Sequence, residues 1–497
     1  MTDAPHAELA EATIGQLAAR LAARQVTSVE LVDAYAARVD ALDGRGPALR
    51  SVLELNPDAV EIARRRDQDR AAGRVRSPLH GVPVLVKDNV DTGDRMQTTA
   101  GSLALVGPPA GRDAPLVACL RDAGAVLLGK TNLSEWANFR SSASSSGWSG
   151  RGRQTRNPYV LDRTPSGSSS GSGVAVAAGL AAAAVGTETD GSIVSPSSAC
   201  CVAGLKPTVG LVSGEGIVPI SVSQDAAGPM ARSVRDLALL LAAMVPGSVD
   251  YAGACRADGL RGARIGVLRE PWSGVNPHAD RVYEAALAAL RKAGAELVDP
   301  VTIDTIQEIR ASGVEQTVLL YEFKDGLNRY LATRPGLPVR TLADLIAFNE
   351  RRADAEMPYF RQELFLDAEA RGPLTDPEYR QAAAASRRLS RELGIDATLA
   401  RHRLEALVAP SALPPPCIEL VSPGQVRGRV RASTVPAMAG YPILSVPAGF
   451  AFGELPVGLS FFAGAGSERT LLRLAHAFEH ATRVRRPPRY LPTLELP

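Results

Sequence analysis

The sequence is poor in the residues that staple a chain, bind metals or anchor it in a membrane. Among its 497 residues there are 5 cysteines, an odd number at low density, and no two form a C-x-x-C pair. That argues against a disulfide framework or a zinc site. Cys119, Cys200, Cys201, Cys255 and Cys417 are expected to be buried thiols in a reducing compartment. Histidine is also scarce, with 6 in all; His476 and His480 stand four apart on an expected helix, but no Glu lies between them in the H-E-x-x-H manner. Helix-surface packing is therefore favoured over metal binding, and neither a metal nor a cofactor is expected. Net charge is +2, from 55 basic and 53 acidic residues, so nothing calls for nucleic acid or an anionic membrane as partner. The longest apolar stretch, Val174 to Val185, spans about 12 residues and is rich in alanine, too short for a bilayer. The amino terminus has no basic n-region followed by an apolar h-region, so no secretory leader is expected and the location is read as cytoplasmic. The run Arg483-Val484-Arg485-Arg486 is expected to be a solvated tail.

What is present suits a globular enzyme. Hydrophobic residues make up 45% and charged residues 22%, enough apolar material for a sizeable core. Two helices are expected between about 13 and 42, the second with Ser28 as N-cap, and an exposed Arg-rich helix at 57–72. Leu79 to Asp88 is a short apolar run ending in charge, which predicts a buried strand that delivers Lys87 at its end. A helix at 114–123 and a strand at 124–130 repeat the pattern. An Ala-rich helix is expected at 174–185 and an amphipathic helix at 233–244. Strands are expected at 262–268, 295–298, 407–410 and 443–447, and a helix at 278–293. The stretch from about 305 to 405 is charged and has few strand signals, as a helical cap would. The whole, residues 1–497, is expected to be one large α/β unit with that helical insertion.

Two segments carry chemistry. Thr164-Pro165-Ser166-Gly167-Ser168-Ser169-Ser170-Gly171-Ser172-Gly173 would pass as a flexible linker, except that it is short and runs straight into an expected helix. A Gly/Ser loop opening a helix is a place where backbone donors converge. Beyond it, Gly186-Thr187-Glu188-Thr189-Asp190-Gly191-Ser192-Ile193-Val194 is again built of small residues that allow a sharp backbone. Gly204-Leu205-Lys206-Pro207-Thr208 and Asp225-Ala226-Ala227-Gly228-Pro229-Met230 follow.

Together with Gly81-Val82-Pro83-Val84-Leu85-Val86-Lys87-Asp88, these segments resemble the amidase signature family, from about Thr13 to about Phe462. The resemblance implies a mixed β-sheet core flanked by helices, and amide hydrolysis by a Ser–Ser–Lys triad. In that triad Ser192 is the nucleophile, Ser168 the bridging serine, twenty-four residues earlier, and Lys87 the base. It further implies an oxyanion hole from the backbone amides of Thr189, Asp190, Gly191 and Ser192, and a cis peptide at the bridging serine. The chain departs from the usual family wording at Glu188, Asp190 and Val194, where the common acid–arginine pair is absent. In this, and in Asn132-Leu133-Ser134-Glu135-Trp136-Ala137-Asn138-Phe139-Arg140 and Gly147-Trp148-Ser149, it is similar to the peptide-amidase branch, which removes the C-terminal amide of peptides. Asn138, Phe139, Arg140 and Ser169 are candidate substrate-binding residues. The expected partner is a peptide amide or small-molecule amide, the protein being a monomer or homodimer. Small aryl, aliphatic or cyclic amides remain alternative substrates. An amidotransferase A-type subunit is a weaker alternative. So is an α/β-hydrolase built on Gly167-Ser168-Ser169-Ser170-Gly171 with Ser169 as nucleophile.

Overall fold

The computed structural model describes residues 6–247, 249–421 and 431–495; the first residues of the leader reading lie outside these. Eleven strands form one mixed sheet. They are β1 (Val52–Leu55), β2 (Pro83–Lys87), β3 (Val126–Thr131), β4 (Ala183–Glu188), β5 (Ala203–Lys206), β6 (Ala226–Ala231), β7 (Arg264–Leu268), β8 (Glu296–Val301), β9 (Ala406–Pro410), β10 (Ile443–Ala451) and β11 (Leu455–Phe462). Their order is β1-β3-β2-β4-β6-β5-β10-β11-β9-β7-β8. The β3-β2-β4 and β9-β7-β8 groups are parallel, and antiparallel pairs join them through the centre. Strands β2 to β4 are buried along their whole length. Before their polar C-terminal residues, Lys87, Lys130 with Thr131, and Thr187 with Glu188, they are apolar on both faces, as strands covered by helices on either side require.

The Ser/Gly tract is ordered. Helix Ser170–Ala177 begins inside it, and all eight of its residues are buried. The Ala-rich helix expected at 174–185 therefore starts four residues earlier and stops at Ala177. Gly179 follows in a left-handed conformation (φ +65°), where a side chain would strike the backbone of Ala10. Ala183, Ala184 and Val185 then enter the sheet between β2 and β6. Tertiary pairing overrides the helix preference of alanine there.

Three other expectations are corrected. The second helix is capped by Thr27, in a capping box with Glu30, and Ser28 is its first residue. The arginines after the last helix, Glu468–Thr482, do not form a solvated tail. Arg485 pairs with Glu11, Arg486 stacks 4.1 Å above the Phe450 ring, and the Tyr490 and Leu491 amides bond to Pro158 and Tyr159. The chain end is a strap laid across the segment that leads into the Ser/Gly tract. Of the cysteines, Cys200 and Cys201 are buried, Cys119 and Cys255 partly so, and Cys417 is exposed; all are free thiols.

Between β8 and β9 the chain is helical, from Ile306 to His402. The helix Val314–Ala332 packs Phe323 and Leu327 into a cluster with Trp136, Phe139, Ile220 and Phe365. The later helix Pro377–Ser390 joins a different cluster, with Val194, Met438 and Ile443. The insertion is thus seated on loops of the parallel half of the sheet at one end and on the sheet at the other. Among the described residues no helix is long and apolar enough to cross a membrane.

Candidate active site

Lys87 closes β2. Because β2 and β4 run parallel with Val86 opposite Val185, the lysine emerges beside Thr187. It is wholly buried. Its Nζ lies 2.8 Å from Ser168 Oγ, 2.8 Å from Thr187 Oγ1, 3.1 Å from Ser169 Oγ and 3.2 Å from the Thr187 carbonyl. Among the described residues no carboxylate hydrogen-bonds to it. Burial drives its pKa down from 10.5 to about 7, and the more distant charges of Asp225 and Glu188 partly oppose the fall. Near neutrality the amine is therefore half deprotonated, with a lone pair available to a neighbouring hydroxyl.

Ser168 follows a cis Gly167–Ser168 peptide, as the family resemblance implied. Ser169 caps the next helix and is wholly buried. Its hydroxyl donates to the Thr187 carbonyl (3.0 Å) and accepts from the Thr187 N–H (3.1 Å). Ser169 is part of the cage around the lysine. These partners are also a lysine and a threonine, not the histidine an α/β-hydrolase nucleophile requires.

Ser192 stands in the turn between β4 and the helix Val194–Ala199. It keeps 7% of its surface, whereas Ser168 and Ser169 keep none, so it is the serine a reagent can reach. The two segments are joined by the Ser169 N–H, which donates to the Ser192 carbonyl at 3.0 Å. Among the described residues the Ser168 and Ser192 hydroxyls make no direct hydrogen bond to each other. The turn depends on Gly191, which has φ +81°; a Cβ there would sit 2.9 Å from Ser195 Oγ and 3.0 Å from Ser433 Oγ. Glu188, in place of the usual acid–arginine arrangement, accepts from the amides of Ile193 (2.6 Å) and Val194 (2.9 Å). The Asp190 carboxylate is taken by the hydroxyls of Ser433 and Thr434. With both carboxylates so occupied, the amides of Asp190, Gly191 and Ser192 have no acceptor among the described residues. A row of unspent donors beside a serine is what a developing oxyanion needs.

Asn138 follows Trp136 and Ala137 in a left-handed turn, with φ of 50°, 53° and 71° for the three residues. Ala137 lines a small cavity with Asn89, Thr187 and Thr189 next to the lysine cage. Asn138 itself is engaged with Ser144 and Ser146. Phe139 and Arg140 turn the other way. Phe139 packs on Phe323, with ring centroids 4.9 Å apart. Arg140 is fully enclosed: it pairs with Glu135 at 2.8 Å, donates to the Phe360 and Arg361 carbonyls and lies 4.4 Å over the Phe360 ring. Both bind the cap to the core rather than lining the serine turn. Sequence reasoning missed Thr187 and Asn89, which complete the lysine's polar shell; Asn89 donates to Thr187 Oγ1 at 3.0 Å. Their only signal was position, two residues after Lys87 and on the strand paired with it.

His476 lies beside Glu479 on the last helix. Among the described residues no cluster of three or more His, Cys, Asp or Glu is placed to hold a metal ion.

The sequence and the fold have clear counterparts among known proteins. The Amidase family profile matches residues 30–472. A probable amidase of Arabidopsis thaliana is 40% identical over 97% of this chain and 92% of its own. The native peptide amidase of Stenotrophomonas maltophilia superposes with a TM-score of 0.91 at 50% identity, covering 97% of this chain and 99% of that one. A peptide amidase in complex with the competitive inhibitor chymostatin gives a TM-score of 0.92 at 50% identity and the same coverage. The fold and site define an amide-hydrolysing enzyme. The chain belongs to the amidase signature family, and these two similar solved structures are peptide amidases.

Proposed function

We propose that this enzyme hydrolyses the C-terminal carboxamide of peptides to the acid and ammonia, through a relay of Ser192, Ser168 and Lys87. The observation that carries the reading is the wholly buried Lys87, with its amine 2.8 Å from Ser168 and a pKa near 7. Serine is a weak nucleophile until a base removes its proton. Neutral Lys87 accepts the Ser168 proton as Ser168 takes that of Ser192, and Ser192 Oγ attacks the carboxamide carbon. The Ser168–Ser192 contact closes on substrate binding, as catalytic hydrogen bonds often do. The tetrahedral oxyanion is held by the amides of Thr189, Asp190, Gly191 and Ser192, each donor contributing about 3–4 kcal/mol. Collapse breaks the C–N bond, and the proton carried by Lys87 returns through Ser168 to the departing ammonia. Water then cleaves the acyl-Ser192 ester by the same route in reverse. The peptide-amidase identity of the structural neighbours supports the choice of substrate.

The test is ammonia release by the purified protein from a blocked dipeptide amide and from benzamide, with internal peptide bonds followed by chromatography. The dipeptide amide should have the higher kcat/KM, with internal bonds left intact. A clear preference for benzamide would replace the peptide substrate by a small aryl amide. Mass spectrometry after fluorophosphonate treatment should find the adduct on Ser192; an adduct on Ser169 would remove the relay.

A further inference from the structure

The segment Asp225-Ala226-Ala227-Gly228-Pro229-Met230 plays no part in the relay, yet its first residue is built into the site. β6 pairs antiparallel with β4, with Ala226 opposite Glu188, so Asp225 meets Thr189 at the start of the serine turn. Asp225 Oδ1 accepts the Thr189 hydroxyl at 2.5 Å. Its Oδ2 accepts the amides of Ile220 (2.8 Å) and Ser221 (2.9 Å). Asp225 borders the same small cavity as Asn89, Thr187 and Thr189. The loop that it holds is gripped from the cap side by Glu322, which is 2% exposed. Glu322 accepts from the Ser221 hydroxyl and from the Ser223 amide and hydroxyl, and its other oxygen accepts from Tyr379 OH at 2.8 Å.

We propose that Asp225 is a positioning residue for hydrolysis: it fixes Thr189 at the mouth of the oxyanion turn and stands on the cavity that it shares with Thr187, a partner of the Lys87 amine. The inference rests on the Ser192–Ser168–Lys87 reading. The charges that face Lys87 are those of Asp225 and Glu188, with Asp225 the stronger. Lys206 and Glu322 are the other charged groups acting around Asp225. Burial lifts the Asp225 carboxyl to about 6, so it is mainly ionised where Lys87 titrates, near 7. An anion there favours the ammonium form; without it the lysine would deprotonate at lower pH. Positioning and charge are separable, because Thr189→Val cuts the hydrogen bond and keeps the carboxylate.

The experiment is kcat and kcat/KM against pH for wild type, Asp225→Asn, Thr189→Val and Lys87→Ala, with thermal melts as a check on folding. Asp225→Asn should lose about tenfold in kcat, the worth of a charge-assisted hydrogen bond, and its acid limb should move to lower pH. A purely structural role would reduce activity without moving the limb. Thr189→Val should show a similar loss in kcat with the acid limb in place. It also carries the test of positioning if Asp225→Asn fails to fold. An acid limb unmoved in folded Asp225→Asn, or wild-type kcat in Thr189→Val, overturns the inference. Turnover by Lys87→Ala at near the wild-type rate would instead bring down the relay itself.

Discussion

Lys87 should set the acid limb of activity, with a midpoint near pH 7. The drop from 10.5 to about 7 amounts to about 5 kcal/mol against the ammonium form, at 1.36 kcal/mol per pH unit. If only the neutral amine works, about half of the enzyme is competent at pH 7 and about one-eleventh at pH 6. The ratio kcat/KM should thus fall about fivefold over that unit, then about tenfold per unit further down. It should level off above about pH 8. Initial rates of ammonia release on one peptide amide, measured from pH 5 to pH 9.5, provide the profile. The same group leaves a mark on stability. Its folded pKa lies below its unfolded one, so the penalty is complete below pH 7 and is relieved as pH rises toward 10.5. Between pH 7 and pH 9 the wild type should gain about 2 kcal/mol relative to Lys87→Met, which has nothing to titrate there. Paired urea unfolding curves at the two pH values read this difference. A rate that still climbs tenfold per unit through pH 9, with parallel stabilities for the two proteins, would mean an ordinary exposed lysine and refute the reasoning.

Arg140→Leu should destabilise the protein by about 3–5 kcal/mol, because it strands Glu135 in a site where neither partner has any exposed surface. Adding Glu135→Gln should recover part of the loss, and thermal melts of the three proteins would detect a failure to recover. Lys87→Arg should be inactive although charge is kept, since guanidinium cannot release its proton at accessible pH; measurable single-turnover acylation of Ser192 in that variant would contradict the base assignment. Activity should survive exhaustive chelation and also His476→Ala; a loss restored by added zinc would point to a metal mechanism.

The parts of the site that lie at strand ends and glycine turns were legible in the sequence. Five consecutive positions from Val82 to Val86 are apolar or proline, and the last four enter the buried strand that ends in Lys87. The Gly-Ser-Ile turn needs Gly191 for its positive φ, a requirement written in the residue type itself. The Ala-rich stretch was misread because alanine carries a helix preference but no signature for the sheet, and it is pairing with β2 on one side and β6 on the other that draws Ala183 into a strand. The cap's attachments and the brace on the serine turn were not legible either. Arg140 with Phe360, Asp225 with Thr189 and Ser221 with Glu322 join positions between 36 and 220 residues apart, and no periodicity encodes such pairs. The arginines of the C-terminal strap looked like a solvated cluster because their partners, Glu11 and Phe450, lie at opposite ends of the chain.

The parallel register of β2 and β4 has a consequence of another kind. Val86 faces Val185, and it is this alignment that brings Thr187 and the Lys87 amine together across 100 residues of chain. A slip of one residue either way would move the Lys87 amine about 3.3 Å along β4 and out of hydrogen-bond reach of Thr187. Either misalignment leaves a compact molecule with most of its helices formed and no working base. Catalytic turnover therefore proofreads strand pairing: after refolding, the fraction of active molecules measures correct β2–β4 alignment, which circular dichroism or sedimentation would pass over.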